Sequence, residues 1–179
     1  DMRRTTLFVA VGAITATTVI GGTGASPAGA RGSREVRMED RCDAATFPAE
    51  AGCAPIVDDP VTFEEFLAEL NPQDFGHDQW RFKFGRGHLG KGEALVARNT
   101  GGEPHTFTEV ENFGGGCVDV LNAGLGLEPV AECSDPALFG STLVFPGGSL
   151  QASDLAVGNH KFMCLIHPWM RQVIAVESD

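Results

Sequence analysis

The sequence predicts an all-β sandwich preceded by a short, helix-containing N-terminal extension. Three observations carry this. From Trp80 onward apolar residues recur with a period of two, as Trp80, Phe82 and Phe84 alternate with Arg81 and Lys83. Short strand-like runs then follow at close spacing, separated by Gly-, Asn- and Pro-rich turns. Finally, 23 Gly and 10 Pro in 179 residues are too many turn formers for a helical bundle. The length suits one domain with a tail.

The N-terminus reads as a targeting segment. Met2-Arg3-Arg4 is a short cationic start, Leu7 to Ile20 is an uncharged, mostly apolar stretch, and Ala28-Gly29-Ala30 matches a small-x-small cleavage pattern. The apolar run is shorter than the roughly 20 residues of a membrane span. Residues 1–30 are therefore expected to be a signal peptide, with a retained N-terminal anchor as the alternative, and the protein periplasmic or secreted. Arg3-Arg4 is a weak hint of the twin-arginine route. No internal repeat is present.

Residues 31–79 are expected to form the extension, polar and turn-rich up to Pro60. Thr62-Phe63-Glu64-Glu65 is a capping box, Phe63, Phe66, Leu67 and Leu70 follow at helical spacing, and Asn71-Pro72 ends the helix. Residues 80–179 are expected to be the sandwich. Its strands should include Trp80–Phe84, Glu93–Asn99, a run from His105 to Val110, Ser141–Phe145 with Ser149–Ala152 as a hairpin-like pair, Asn159–Cys164 and Gln172–Val176. Residues 112–137, with two cysteines, read as a long stapled loop.

The formal charge of −11 argues against nucleic acid, which is bound by clustered Lys and Arg. Five cysteines in an oxidising compartment leave one over after pairing. Nearest neighbours would give Cys42–Cys53 and Cys117–Cys133, although four cysteines allow three connectivities. The remaining one, Cys164, opens the run Cys164-Leu165-Ile166-His167-Pro168-Trp169-Met170. A thiolate, an imidazole and a thioether within seven residues can be bent onto one point, and with a second imidazole they make the ligand set of a blue-copper site. His105, about sixty residues upstream beside Gly101-Gly102, is the candidate for that second imidazole.

Asn99-Thr100-Gly101-Gly102-Glu103-Pro104-His105-Thr106-Phe107 and Phe162-Met163-Cys164-Leu165-Ile166-His167-Pro168-Trp169-Met170-Arg171 together resemble the cupredoxins, the small blue-copper proteins of the plastocyanin and amicyanin kind. The Cys-x-x-His-x-x-Met spacing looks most like the amicyanin form of the loop. The resemblance covers residues 80–179 and implies a cupredoxin-like Greek-key β-sandwich. It also implies one type 1 copper ion, with His105, Cys164 and His167 as equatorial ligands and Met170 as the long axial one. On the same resemblance, both histidines bind through Nδ1 and His167 exposes its ring edge as the electron exit. Leu165, Ile166, Pro168 and Trp169 would form an apolar collar that offers a docking patch.

Two positions depart from that pattern. Ile166 stands where relatives have proline, so its N–H is expected to donate to the thiolate and raise the potential. Thr106 stands where relatives often have Asn, so the support of the cysteine loop is expected to differ.

The function expected is exported, monomeric, non-enzymatic transfer of single electrons between redox partner proteins with basic or apolar docking surfaces. The alternative is a copper-binding module for storage, delivery or sensing. Five histidines without a His-x-His pair speak against a multicopper oxidase. A buried free thiol at Cys164 with Met170 and Trp169 as core residues is the bland alternative; zinc would be poorly served by a thioether. His160 is expected to pack or lie at the surface, and His77 and His88 to be solvated. Asp58, Asp59, Glu64 and Glu65 read as a solvated face. Phe113-Gly114-Gly115-Gly116 lacks the Lys-Ser/Thr of a phosphate loop and reads as a tight bend near the metal.

Overall fold

The structure is a computed structural model that describes residues 32–55, 57–70, 76–85 and 87–178. The expected signal peptide lies outside them. Ten strands are present among the described residues: β1 (Ser33–Glu39), β2 (Arg81–Phe84), β3 (Leu89–Gly90), β4 (Ala94–Asn99), β5 (His105–Thr106), β6 (Thr108–Glu109), β7 (Leu143–Val144), β8 (Ser149–Ala152), β9 (Gly158–Met163) and β10 (Arg171–Glu177). They form two open four-stranded sheets, ordered β2-β1-β4-β8 and β3-β10-β9-β6, and a two-stranded ribbon of β5 and β7. The architecture is mostly β, as expected.

Alternation decides which faces meet. Val36, Met38, Phe82, Leu95 and Ala97 of the first sheet point inward, against Leu89, Phe162, Ile174 and Val176 of the second. Phe107 sits between the layers. Its ring stacks on Phe162 at 4.3 Å and 4° and meets Phe82 at 5.3 Å. Full burial of each such side chain contributes about 1.5–3 kcal/mol.

The sandwich does not begin at residue 80. Strand β1 lies between β2 and β4, antiparallel to the first and parallel to the second. Its sequence, SREVRME, presents only Val36 and Met38 to the core between charged residues, so it reads as polar extension. Its partners are 40 and more residues away in sequence, and only tertiary pairing makes it a central strand.

The stapled loop is more ordered than expected. It carries helix α2 (Asp119–Leu125), and a further helix α3 (Pro136–Thr142) takes the first two residues of the expected Ser141–Phe145 strand. Asp135 accepts from the amides of Ala137 and Leu138, with Pro136 at the first helical position, which starts α3. Strand β7 is left with two residues and pairs with β5, while β8 pairs with β4, so no hairpin forms.

Helix α1 (Phe63–Glu69) has the expected capping box, with Thr62 and Glu65 bonded reciprocally. The disulfides are Cys42–Cys53 and Cys117–Cys133, the nearest-neighbour pairs.

Candidate metal centre

His105 is delivered by the turn that precedes it. Buried Asn99 donates from Nδ2 to the carbonyls of Glu103 (2.7 Å) and Val144 (2.9 Å), and its Oδ1 accepts from the Gly101 amide. This clamp folds residues 99–104 tightly, and β5 then runs from His105 alongside β7. A Cβ on Gly101 would overlap the Asp40 carboxylate, and one on Gly102 would press on the Cys42 sulfur. The Gly-Gly pair thus lets Asp40 and the Cys42–Cys53 disulfide close on the turn.

Cys164 follows the last residue of β9. Its amide donates to the Met170 carbonyl (3.0 Å), and the Met170 amide donates to the His167 carbonyl (2.9 Å), so the ligand loop is closed at its base. Leu165 donates its amide to Thr106 Oγ1 at 2.7 Å, and Cys117 donates its amide to the Leu165 carbonyl at 2.6 Å. Thr106 therefore supports the loop through its hydroxyl. Gly116 packs so closely on Leu165 that a Cβ would overlap its backbone, which accounts for the glycine run as a bend beside the site.

His105, Cys164 and His167 converge, all buried. Cys164 Sγ lies 3.8 Å from Nδ1 of each histidine, and the two Nδ1 atoms are 3.2 Å apart. Met170, fully buried, closes the same loop. The thiolate accepts the amides of Thr106 and His167, each at 3.4 Å. The amide expected from Ile166 is replaced by that of His167, one residue further on, because the turn around Cys164 points that N–H inward.

The far nitrogens of both rings meet carboxylates, which sequence reading missed. His105 Nε2 lies 2.8 Å from Asp40 Oδ2, with both side chains fully buried. His167 Nε2 lies 3.5 Å from Glu103 Oε2, which also accepts from Trp80 Nε1 at 2.5 Å. Asp40 further accepts the amides of Cys42, Gly102 and Glu103. Glu103, two residues before His105, could have been suspected from the motif; Asp40 left no local signal.

These contacts set the protonation pattern. Burial alone would raise the Cys164 thiol pKa, but the two histidines drive it well below its ordinary value. Burial would lower the His105 pKa, yet Asp40 and the Cys164 sulfur push it up to about 10. Asp40 stays below the usual carboxylate range, since its hydrogen bonds with His105 and the neighbouring amides outweigh burial. Burial raises Glu103 against the pull of His167 and Trp80. With His105 Nε2 bonded to Asp40 and His167 Nε2 3.5 Å from Glu103, two Nδ1 atoms and a thiolate face one point, a donor set that fits a soft, thiophilic metal ion. A neighbouring group, Asp40, Cys42 and Glu103, offers no thiolate because Cys42 is in its disulfide.

One expectation fails clearly. The His167 side chain is 4% exposed, so its edge is not open to solvent. Trp169 lies edge-on to it at 5.4 Å and is itself only 8% exposed, beneath Gly76 and 6.2 Å from Phe66. Phe66, His77 and Trp80 pack together above, with ring separations of 4.6–5.4 Å. The residues before the first expected sandwich strand thus roof the centre. Leu165, Pro168 and Trp169 of the expected apolar collar are buried, and His77, expected in solvent, is part of the roof. His88 is exposed as expected. His160 pairs with Glu109 at 2.6 Å and with the Ala156 carbonyl at 2.8 Å, away from the centre.

No protein-family model matches the chain, and no curated protein matches it. Solved structures similar to it include a purple cupredoxin from Nitrosopumilus maritimus, at 14% identity and a TM-score of 0.32 over 50% of this chain and 75% of that one. A reduced amicyanin mutant is 17% identical, with a TM-score of 0.32 over 50% and 67%. A blue copper oxidase from Nitrosomonas europaea is 13% identical, with a TM-score of 0.34 over 83% of this chain and 39% of that one. These are likenesses of fold, and the chemistry rests on the site's own atoms.

Proposed function

We propose that this cupredoxin-like chain would hold one type 1 copper ion through His105, Cys164 and His167, with the Met170 thioether as a fourth donor, and that it relays single electrons between proteins. The observation that carries the reading is the convergence of two Nδ1 atoms and one buried, acidified thiol within 3.8 Å of one another. When bound, copper would supply a one-electron couple, for which thiolate and thioether suit the reduced ion and imidazole suits both forms. The chain's part is to fix the donors. Asp40 and Glu103 orient the two rings, the Thr106 and His167 amides steady the sulfur, and the buried loop excludes water. A shell held this way changes little between redox states, which lowers the reorganisation that transfer requires.

The closed His167 edge is the observation on the side of storage, delivery or sensing. A centre roofed by packed rings is equally poor for handing off an ion, so the carrier reading stands. Export to the periplasm or beyond is part of the proposal, supported by two disulfides that suit an oxidising compartment.

The visible spectrum of the copper-loaded, oxidised protein tests the centre. An intense thiolate-to-copper charge-transfer band, absent in Cys164→Ser, is expected. Voltammetry separates the two roles: a reversible couple with no loss of copper supports the carrier, and release of the ion on reduction refutes it.

A further inference from the structure

The roof over His167 differs in charge from the rest of the chain. Between Arg41 and Arg81 the sequence carries nine carboxylates and no Lys or Arg, so most of the net −11 is concentrated there. Asp58, Asp59, Glu64, Glu65, Glu69 and Asp78 are exposed. Arg41 pairs with Asp59, and Glu69 lies 3.1 Å from His77 Nε2, which leaves Glu64, Glu65 and Asp78 as the least compensated. Leu67, 53% exposed, stands on α1 among them.

Helix α1, which carries Glu64 and Glu65, lies over the centre. Phe66 of α1 touches Trp169, and Trp169 touches His167. A cavity of about 500 Å³ opens beside it, lined by His77, Asp78, Gln79, Trp80, Arg81 and Trp169. Trp169 lines this cavity with a buried indole Nε1–H that has no hydrogen-bond partner among the described residues. An unmatched buried donor in the wall of a cavity beside the acidic helix α1 is a position that a partner's carbonyl or hydroxyl could complete.

We propose that this roof is the docking surface for a basic redox protein, and that the route from the centre to that partner runs through Trp169 instead of an exposed His167 edge. The inference rests on the carrier reading above. Carboxylates of one sign collected over a site steer a cationic partner towards it and make association depend on salt. Electronic coupling falls steeply with distance, and a partner that approaches over Trp169 and Phe66 meets a chain of rings that ends on His167. In the transfer, the centre loses one electron and the partner's acceptor gains it; Trp169 stays in its ground state.

Two measurements test this. The first titrates the Cu(I)-loaded and the metal-free protein with hexaamminechromium(III), a paramagnetic, redox-inert trication, and follows amide resonances. Broadening should centre on residues 58–59, 63–69 and 78–81. Broadening spread evenly, or centred on Glu128–Asp135 or Glu109–Glu111, overturns the proposal, and this outcome does not depend on whether copper binds.

The second measures oxidation of the reduced protein by a basic cytochrome c. Glu64→Lys should slow it about tenfold at low salt, with the difference vanishing at high salt. Ser153→Lys/Val157→Lys adds the same charge at the opposite end of the sandwich and should change the rate less than about twofold. Equal effects of the two changes would mean that net charge, and not this face, governs docking. A protein with the reversible couple that ignores Glu64→Lys keeps the carrier reading and loses the docking surface.

Discussion

His105 Nε2 lies 2.8 Å from Asp40 Oδ2, and neither side chain has any exposure to solvent. The carboxylate holds the ring with Nδ1 turned toward Cys164 and also caps three backbone amides of the turns around it. Asp40→Asn would set an amide N–H₂ against N–H donors. We expect copper affinity to fall about 10–100-fold, measured by competition with a chelator. Stability should fall by about 1–3 kcal/mol in denaturant. An unchanged affinity would show that His105 is positioned by its strand alone.

Thr106 links the ligand loop to the strand that carries His105. Thr106→Val removes the acceptor for the buried Leu165 amide and for the Thr108 hydroxyl, while its own amide still reaches the sulfur. The expected result is a loss of about 1–3 kcal/mol with the charge-transfer band little moved. A large shift of the band with stability preserved would reverse the assignment of roles.

Gly76 combines a φ of +107° with a Cβ position inside the Trp169 ring. Gly76→Ala must therefore strain the backbone and displace the indole, and should cost more than about 1 kcal/mol. Trp80 and Trp169 are both buried in the parent, so acrylamide quenching of tryptophan fluorescence should rise. A variant as stable and as poorly quenched as the parent would mean that the roof does not rest on this contact.

His160 supplies a pH dependence remote from the centre. Its partial burial would lower its pKa, but the Ala156 carbonyl and Glu109 outweigh that and raise it. A raised value means that the native state binds the proton more tightly than the unfolded chain does. The contribution is fully present below the ordinary value of about 6.5 and is lost as pH rises through the folded-state value. The stability difference between the parent and His160→Gln should shrink as pH is raised from about 5 to about 9. A difference that stays constant would refute the coupling.

Local features were legible in the sequence wherever the information is local. The capping box at Thr62 and Glu65, the alternation in β2 and the spacing of Cys164, His167 and Met170 each act over a few residues. Disulfide pairing by proximity succeeded because each pair closes a short loop, separated by 11 and 16 residues. Helix α3 was missed because Ser141-Thr142-Leu143-Val144-Phe145 is apolar and β-branched, whereas the cap that starts the helix lies six residues earlier at Asp135. His77 was misjudged because charged and Gly-rich neighbours suggest solvent, yet its ring stacks on Phe66 and meets Trp80 edge-on.

The order of residues along the chain determined by itself which side chains could ligate a metal and that the surrounding domain is built of strands. Tertiary structure alone decided that Ser33–Glu39 is a central strand, that Asp40 binds the His105 ring and Glu103 stands beside that of His167, and that Phe66, Trp80 and Trp169 close over His167. The reason is the distance over which the forces act. Ligand spacing and strand alternation are written in neighbouring residues, while parallel pairing across 61 positions, from Ser33 to Ala94, and contact across 65, from Asp40 to His105, arise only when a shared core brings them together.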